Sequence, residues 1–313
     1  MTTEPCSCPS LPIKTFTFKK MDAFATATSG GNPAAAVYLD AMESITESEM
    51  QRIASELKGF VSEVGYIARI APDAFKIRYF SSEKEVQFCG HATIAIMHDL
   101  VTQDPSLALL EQILLHTNKG VLAVQKRDGA VFIQAPEPVF TECHIERSGI
   151  CKALGIPESV LDASIETGIV NAGNQTLCLA LKTCQDVVGV APDYQTVLVF
   201  CERHQLDVIT IFSRHAAHPG NHFRTRVFAA PFGYLEDPAT GSGNAALGYH
   251  LHRCGHWDGS PIRLEQNADL ENPNIVRLSS IADAKHGIRV IFGGGAIVRI
   301  EGRYCLYIGK GAW

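Results

Sequence analysis

Cys89-Gly90-His91-Ala92-Thr93 opens an alanine-rich apolar stretch that runs to Leu100, and Thr240-Gly241-Ser242-Gly243-Asn244 opens a second that runs to Leu251. In each, a glycine turn precedes residues that are apolar almost all round: Ile94, Ala95, Ile96 and Met97 in the first, Ala245, Ala246 and Leu247 in the second. That composition predicts two short helices, over 92–100 and 244–251, buried inside something larger. A helix start presents unpaired backbone N–H groups and the positive end of the macrodipole, which suits a carboxylate. Two such starts in one chain predict one anion site built from two halves.

Working outward, residues 13–20 alternate and are rich in Thr and Phe, the pattern of a first strand. Thr28 to Pro33 is a turn, followed by an apolar run from Ala34 to Leu39. Thr46-Glu-Ser-Glu49 is a capping box for a helix carrying Met50, Ile53, Ala54 and Leu57, which Gly59 ends. Strands are expected over 61–70 and 75–80, then a meander over 112–117, 121–126 and 130–134 with Asp128-Gly129 as a hairpin turn.

The second half repeats this order. Ala172-Gly173-Asn174 precedes the apolar run 176–181 as Gly30-Gly31-Asn32 precedes 34–39, with a helix near 192–204 and a strand over 208–212 to follow. Arg78-Tyr-Phe80 precedes Gly90 by 12 residues, and Arg226-Val-Phe228 precedes Gly241 by 15. An ordered series of landmarks at similar spacing reads as a duplication. The expected architecture is therefore α+β: two similar lobes, each a strand-rich mixed sheet wrapped around one apolar helix, with both helix starts at the cleft between them. The lobes are placed at 12–130, with the C-terminal strand near 303–313 as a candidate addition, and at 131–302.

Composition bounds the function. The chain has 313 residues, 46% hydrophobic and 19% charged, with a net charge of −6. The acidity and the lack of a Lys/Arg cluster argue against nucleic-acid binding, and no apolar run reaches the ~20 residues of a membrane span. Met1 to Ser10 reads as a loose tail without a signal peptide's parts. Ten irregularly spaced cysteines, several inside apolar runs (Cys178, Cys201, Cys305), suggest buried thiols in a reducing cytoplasm rather than disulfides. No metal site is expected: Cys6 and Cys8 are too close and too alone, and His215-x-x-His218-x-x-x-His222 looks like a solvated loop. Gly293-Gly-Gly295 lacks the spacing of a phosphate cradle.

Few residues are placed for chemistry. Glu63 stands at the mouth of an otherwise apolar strand, where burial would raise its pKa into the range of a proton carrier; the second half has no glutamate near the matching 208–210. His91 sits in the first turn of its helix, where the helix end would favour the neutral ring. Asp237 precedes the second helix and suits orienting His91 or holding a substrate amine. Ser242, with the N–H groups of Gly241 and Ser242, can hold a carboxylate. Cys89 reads either as an activated thiolate at a helix start or as a core thiol. Thr240 stands in its place in the second copy, which disfavours a two-thiol racemase.

Asp22-Ala-Phe24, Gly31-Asn-Pro33, Ser62-Glu63, Ile77-Arg-Tyr-Phe80, Cys89-Gly-His-Ala-Thr93 and Glu236-Asp-Pro-Ala-Thr-Gly-Ser242 together resemble the phenazine-biosynthesis PhzF-like family, from about Thr15 to Gly293. The resemblance implies the diaminopimelate epimerase fold, with the active site between the lobes, and a homodimer. It implies a cofactor-free isomerase acting on a small carboxylate. In the namesake enzyme one glutamate moves a proton between carbons of trans-2,3-dihydro-3-hydroxyanthranilate. The matching residues here are Glu63 as the shuttle, His91 and Asp237 as its partners, and Asn32, Gly90, Gly241 and Ser242 as substrate-binding positions. Gly243-Asn244 stands where many relatives have Ala-His, and Glu265-Gln-Asn267 where Glu-Gln-Gly is usual. An epimerase or racemase of a small amino or hydroxy acid is the alternative within enzymes, and a catalytically silent ligand-binding protein the alternative outside them.

Overall fold

The computed structural model describes residues 12–308. The first half runs β1 (Ile13–Ala23), β2 (Asn32–Leu39), α1 (Glu47–Glu56), β3 (Glu63–Ala71), β4 (Ala74–Ser81), β5 (Glu85–Val86), α2 (Gly90–Gln103), α3 (Pro105–Ala108), β6 (Gln112–Thr117), β7 (Gly120–Arg127) and β8 (Ala130–Gln134). The second runs β9 (Val139–Thr141), α4 (Arg147–Leu154), β10 (Gly168–Asn171), β11 (Gln175–Ala180), α5 (Cys184–Gly189), α6 (Tyr194–His204), β12 (Val208–Ser213), β13 (Phe223–Phe228), β14 (Glu236–Asp237), α7 (Gly241–Arg253), β15 (Ile262–Gln266), β16 (Asn274–Asp283) and β17 (Gly287–Gly294). A last strand, β18 (Ala296–Tyr307), returns to pair antiparallel with β1.

Both anticipated helices form, each beginning at its glycine and running two or three residues beyond its apolar run. They are the axes of the two lobes. α2 packs against β1, β2, β3, β8 and β18, and α7 against β10, β11, β12, β16 and β17. Ile94, Ala95, Ile96 and Met97 on α2, and Ala245, Ala246 and Leu247 on α7, are fully buried. The helices are not purely apolar. Asp99 of α2 is buried against Lys19 Nζ (2.9 Å) and the Tyr38 hydroxyl (2.6 Å), and His250 of α7 contacts the Glu166 carbonyl oxygen through Nε2 (2.9 Å). Asp99 and His250 each have a partner, the condition for their being tolerated there.

The duplication is legible strand by strand. One half-sheet is ordered β18-β1-β2-β3-β4-β6-β7-β8, the other β9-β10-β11-β12-β13-β15-β16-β17, and β8 joins β17. The parallel pairs fall at the same places: β2 with β3 and β4 with β6 in one, β11 with β12 and β13 with β15 in the other. Ala34 faces Glu63 as Thr176 faces Val208, so the counterpart of Glu63 is a valine. Tyr79 faces Val86 as Val227 faces Asp237, so the counterpart of Asp237 is also a valine. Arg78 lies over Phe80 and grips Glu85 with two nitrogens; Arg226 does the same with Phe228 and Glu236. These paired forks, planar guanidinium against carboxylate, fasten β5 and β14 just ahead of the two helices. The spacing of 15 rather than 12 residues arises in the β13–β14 connection, which carries the half-exposed, stacked rings of Phe232 and Tyr234.

The glycine run of β17 belongs to the seam between the lobes. A Cβ on Gly293 would lie 2.1 Å from the Val131 carbonyl oxygen on β8, and one on Gly294 2.7 Å from the Phe24 ring. Their neighbour Phe292 is 1% exposed and lies against both helix starts: a Cβ on Gly241 would stand 2.2 Å from its ring, and one on Gly90 3.3 Å.

Other expectations need correction. Cys178 and Cys201 are buried thiols, but Cys305 is exposed, because β18 pairs only with β1 and is exposed along most of its length, Leu306 being its one buried residue. The histidine loop is solvated as expected, with His215 and His222 exposed, but it is also tethered. Buried Glu265 accepts hydrogen bonds from the Ala217 and His218 N–H groups, from Asn221 Nδ2 and from buried Arg224. The helix begun at Thr46 ends at Glu56, before Gly59. Cys6, Cys8 and the N-terminal tail lie outside the described residues. Among the described residues no helix is long and apolar enough to cross a membrane.

Substituting Gly241 by alanine drives a methyl group into the Phe292 ring. Overpacking of this kind costs ~1–3 kcal/mol. Gly241→Ala should therefore lower the thermal unfolding midpoint by several degrees and Gly90→Ala by much less. Equal midpoints for the two variants would show that the ring does not hold the helix starts in place.

Candidate functional site

Glu63 is the first residue of β3, set by pairing between Ala34 and Ser81 so that its carboxylate emerges at the end of the sheet where α2 begins. Cys89 is the N-cap of α2 and has extended backbone; His91 is the helix's second residue. Glu63 Oε2 lies 3.2 Å from His91 Nε2, and the Cys89 thiol donates to the same oxygen at 3.6 Å. The thiol is also 3.5 Å from His91 Nδ1. The α2 start is braced from behind, where the Thr93 hydroxyl donates to the Cys89 carbonyl (2.7 Å) and meets the Tyr79 hydroxyl (2.6 Å).

From the other lobe, Asp237 ends β14, four residues ahead of Gly241. Its Oδ1 accepts from Asn32 Nδ2 (2.7 Å) and its Oδ2 from the Thr240 hydroxyl (2.5 Å). Asn32 thus crosses the cleft, its Nδ2 also donating to the Ala239 carbonyl (2.8 Å). Gln266 fixes the α7 start, accepting from the Thr240 N–H (2.8 Å) and Asn244 Nδ2 (2.7 Å) and donating to the Asp237 carbonyl (2.8 Å). The Ser242 hydroxyl accepts from Asn174 Nδ2 at 2.9 Å. The first-turn N–H groups of Gly90, Gly241 and Ser242 have no acceptor within their helices, as at any helix start.

The electrostatics overturn two expectations. Burial by itself would raise the Glu63 carboxyl, but hydrogen bonding and charge from His91, with help from Cys89, hold it below its ordinary value. Burial would likewise lower His91, but Cys89 and Glu63 raise it well above its ordinary value. The sulfur and the carboxylate beside the ring together outweigh burial. Glu63 and His91 thus form an ion pair rather than two neutral groups. Asp237 is the acid that burial lifts, pushed up to about 6 against the opposing effects of His91, Thr240 and Asn32. Burial and the Glu63 charge push the Cys89 thiol up, so it is a protonated N-cap thiol rather than an activated thiolate.

Every residue singled out in the sequence, namely Asn32, Glu63, Gly90, His91, Asp237, Gly241 and Ser242, lies at the two helix starts or in contact with residues there. Four others there were not singled out. Asn174 carries a signal, since it repeats the Gly-Asn turn of Asn32. Gln266 lies in the Glu-Gln-Asn departure and bonds to the other departure, Asn244. Tyr234, whose hydroxyl burial raises first and the charges of Asp237 and Glu63 raise further, faces the cleft from the longer hairpin. Phe292 reads in sequence only as a strand residue. The donor atoms of Glu63, Cys89 and His91 all lie within 4.8 Å of one another.

A family model described as phenazine biosynthesis-like protein matches residues 21–302. A Pseudomonas fluorescens protein named trans-2,3-dihydro-3-hydroxyanthranilate isomerase is 28% identical over 89% of this chain and 98% of its own length. A Bacillus subtilis protein named uncharacterized isomerase YfhB is 27% identical over 89% and 94%. The crystal structure of a Bacillus anthracis phenazine biosynthesis protein of the PhzF family superposes with a TM-score of 0.82 at 21% identity, covering 94% of this chain and 100% of that one. A fold, a two-lobed cleft and a match across nearly the whole chain lead to one conclusion: this chain belongs to the phenazine biosynthesis-like PhzF family of isomerases and epimerases.

Proposed function

We propose that this protein is an isomerase, working without a cofactor, that moves a proton between two carbons of a small carboxylate, with Glu63 as the group that carries it. The observation that carries this reading is the single glutamate paired with His91 at the meeting point of two helix starts. Ionised at rest, Glu63 is ready to accept a proton from an acidic carbon, and His91 stabilises the carboxylate until then. Returned to a second carbon on the same face, the proton completes an isomerisation without a second base. The free N–H groups of Gly90, Gly241 and Ser242 would hold the substrate carboxylate. The buried Oδ1 of Asn32 has no partner, which supports a donor on the substrate, an amine or hydroxyl, beside Asp237. The substrate is thus read as a small carboxylate bearing such a donor, of the class that the Pseudomonas relative's name describes.

Two measurements test this reading. In D₂O, wild type incubated with trans-2,3-dihydro-3-hydroxyanthranilate should shift the double bond and place deuterium at carbon, and Glu63→Gln should lose at least about 10²-fold in rate. Undiminished turnover in the variant would remove Glu63 from the role, and inversion at a centre without double-bond movement would make the protein an epimerase instead.

The second is pH. Asp237 is protonated below about 6 and ionised above it. The ion pair contributes stability above the ordinary Glu63 value of 4.5, losing it as pH falls through the lowered carboxyl pKa. It contributes fully below the ordinary His91 value of 6.5, losing it as pH rises through the raised one. With ionised Asp237 holding the substrate's donor, kcat/KM should rise through about pH 6, and Asp237→Asn should abolish that limb. A limb unchanged in Asp237→Asn would assign it to another group.

A further inference from the structure

We propose that β18 pairs with the β18 of a second copy of this chain, antiparallel about a two-fold axis at Gly302, so that two first lobes share one continuous sheet. β18 is twelve residues long and, among the described residues, pairs as a strand only with β1. Its other edge presents a row of unpaired N–H and C=O groups, which is a template for a further strand. Apolar side chains stand exposed along it, Val298 at 37%, Ile300 at 47% and Tyr307 at 51%. The outer strand of the other half-sheet, β9, is only three residues long.

The order of side chains along this edge selects one register. Gly302 is flanked by Glu301 and Arg303, and these by Ile300 and Tyr304. A two-fold axis through an antiparallel pair sets one residue opposite its own copy and makes every other contact occur twice. With Gly302 at the axis, Glu301 of each copy faces Arg303 of the other on one side of the sheet. On the opposite side Ile300 faces Tyr304. Opposite-charge and aliphatic–aromatic pairs of this kind are what stabilise paired strands. Moved one residue either way, the axis would set Glu301 against Glu301 or Arg303 against Arg303, and like charges directly opposite destabilise. Moved on to Ile300, it would fall beside a bulge, for Ile300 pairs with Lys20 but Val298 with Met21, which leaves Arg299 over.

The groups that this register needs are available. Arg299 is committed within the chain, to Asp22 and to the Ser29 carbonyl. Arg303 is exposed and makes no ion pair among the described residues. Glu301 is 64% exposed and stands 3.7 Å from Lys19, whose ammonium is already held by Asp99 at 2.9 Å. A Cβ on Gly302 would meet open space, so nothing obstructs a second backbone there. Alternating charges ordinarily blunt an exposed edge; here they reject the neighbouring registers and admit this one.

The inference does not depend on the role of Glu63, and its test reads assembly alone. Sedimentation of the full-length protein should give a species of twice the chain mass of 34.0 kDa. Glu301→Arg sets arginine against arginine on both sides of the axis and should raise the dimer dissociation constant at least about tenfold. Adding Arg303→Glu to it restores both pairs with their signs exchanged and should restore the dimer. Both positions are exposed, so folding is not at stake. As a second measurement, the outward-facing amides of 300–304 should be protected from hydrogen exchange in wild type and in the double variant but not in Glu301→Arg. A monomeric wild type, a dimer undiminished by Glu301→Arg, or a double variant no tighter than the single one overturns the pairing.

Discussion

The site depends on a close approach. Two helices meet start to start across a seam where β8 and β17 pair, and one ring, Phe292, fills the space between them. Only glycine at 241 and 293 leaves room for that ring and for the neighbouring strand. Helix starts normally carry polar caps, yet neither Cys89 nor Thr240 caps its helix through its side chain. Their first-turn N–H groups are thereby left facing the cleft, and the stability forgone at the caps is offset by burial of the helices themselves.

Much of this was legible in the sequence, for physical reasons. Apolar residues all round a short helix mean burial, whichever fold surrounds it, so 92–100 and 244–251 announced the two axes. The Arg-x-Phe landmarks announced the repeat because the Arg–Glu fork requires both residues to be kept in both halves. That the candidate residues would gather at the helix starts was legible because the glycine turns mark where those helices begin. What could not be read was charge. The states of Glu63 and His91 depend on a 3.2 Å approach between residues 28 positions apart, and no spacing rule conveys that. Each was expected to be neutralised by its surroundings; together they stabilise one another's charge. Cys305 was misplaced for a different reason, since an apolar run does not reveal that its strand lies at the end of a half-sheet and is exposed along most of its length.

The charge states of Glu63 and His91 share a cause with the tethering of the histidine loop. Buried and half-buried carboxylates in this protein are hubs: Glu265 gathers a loop, Asp99 a lysine and a tyrosine, Glu63 a histidine and a thiol. Sequence displays such acids as isolated letters. Their effect appears only when several donors converge on them, and convergence is a property of the folded chain.

The register of the two lobes carries one more implication. Glu63 faces the cleft from the first lobe where the second has Val208, and Asp237 from the second where the first has Val86. A symmetric pair of identical lobes bearing both acids would crowd four carboxylates into one cavity, and mutual repulsion would keep some of them protonated. Joining the lobes in one chain lifts that symmetry. Each half can discard the acid that the other keeps, and two carboxyls of unlike pKa replace four of like kind. Covalent tandem linkage is thus an electrostatic device as much as an architectural one.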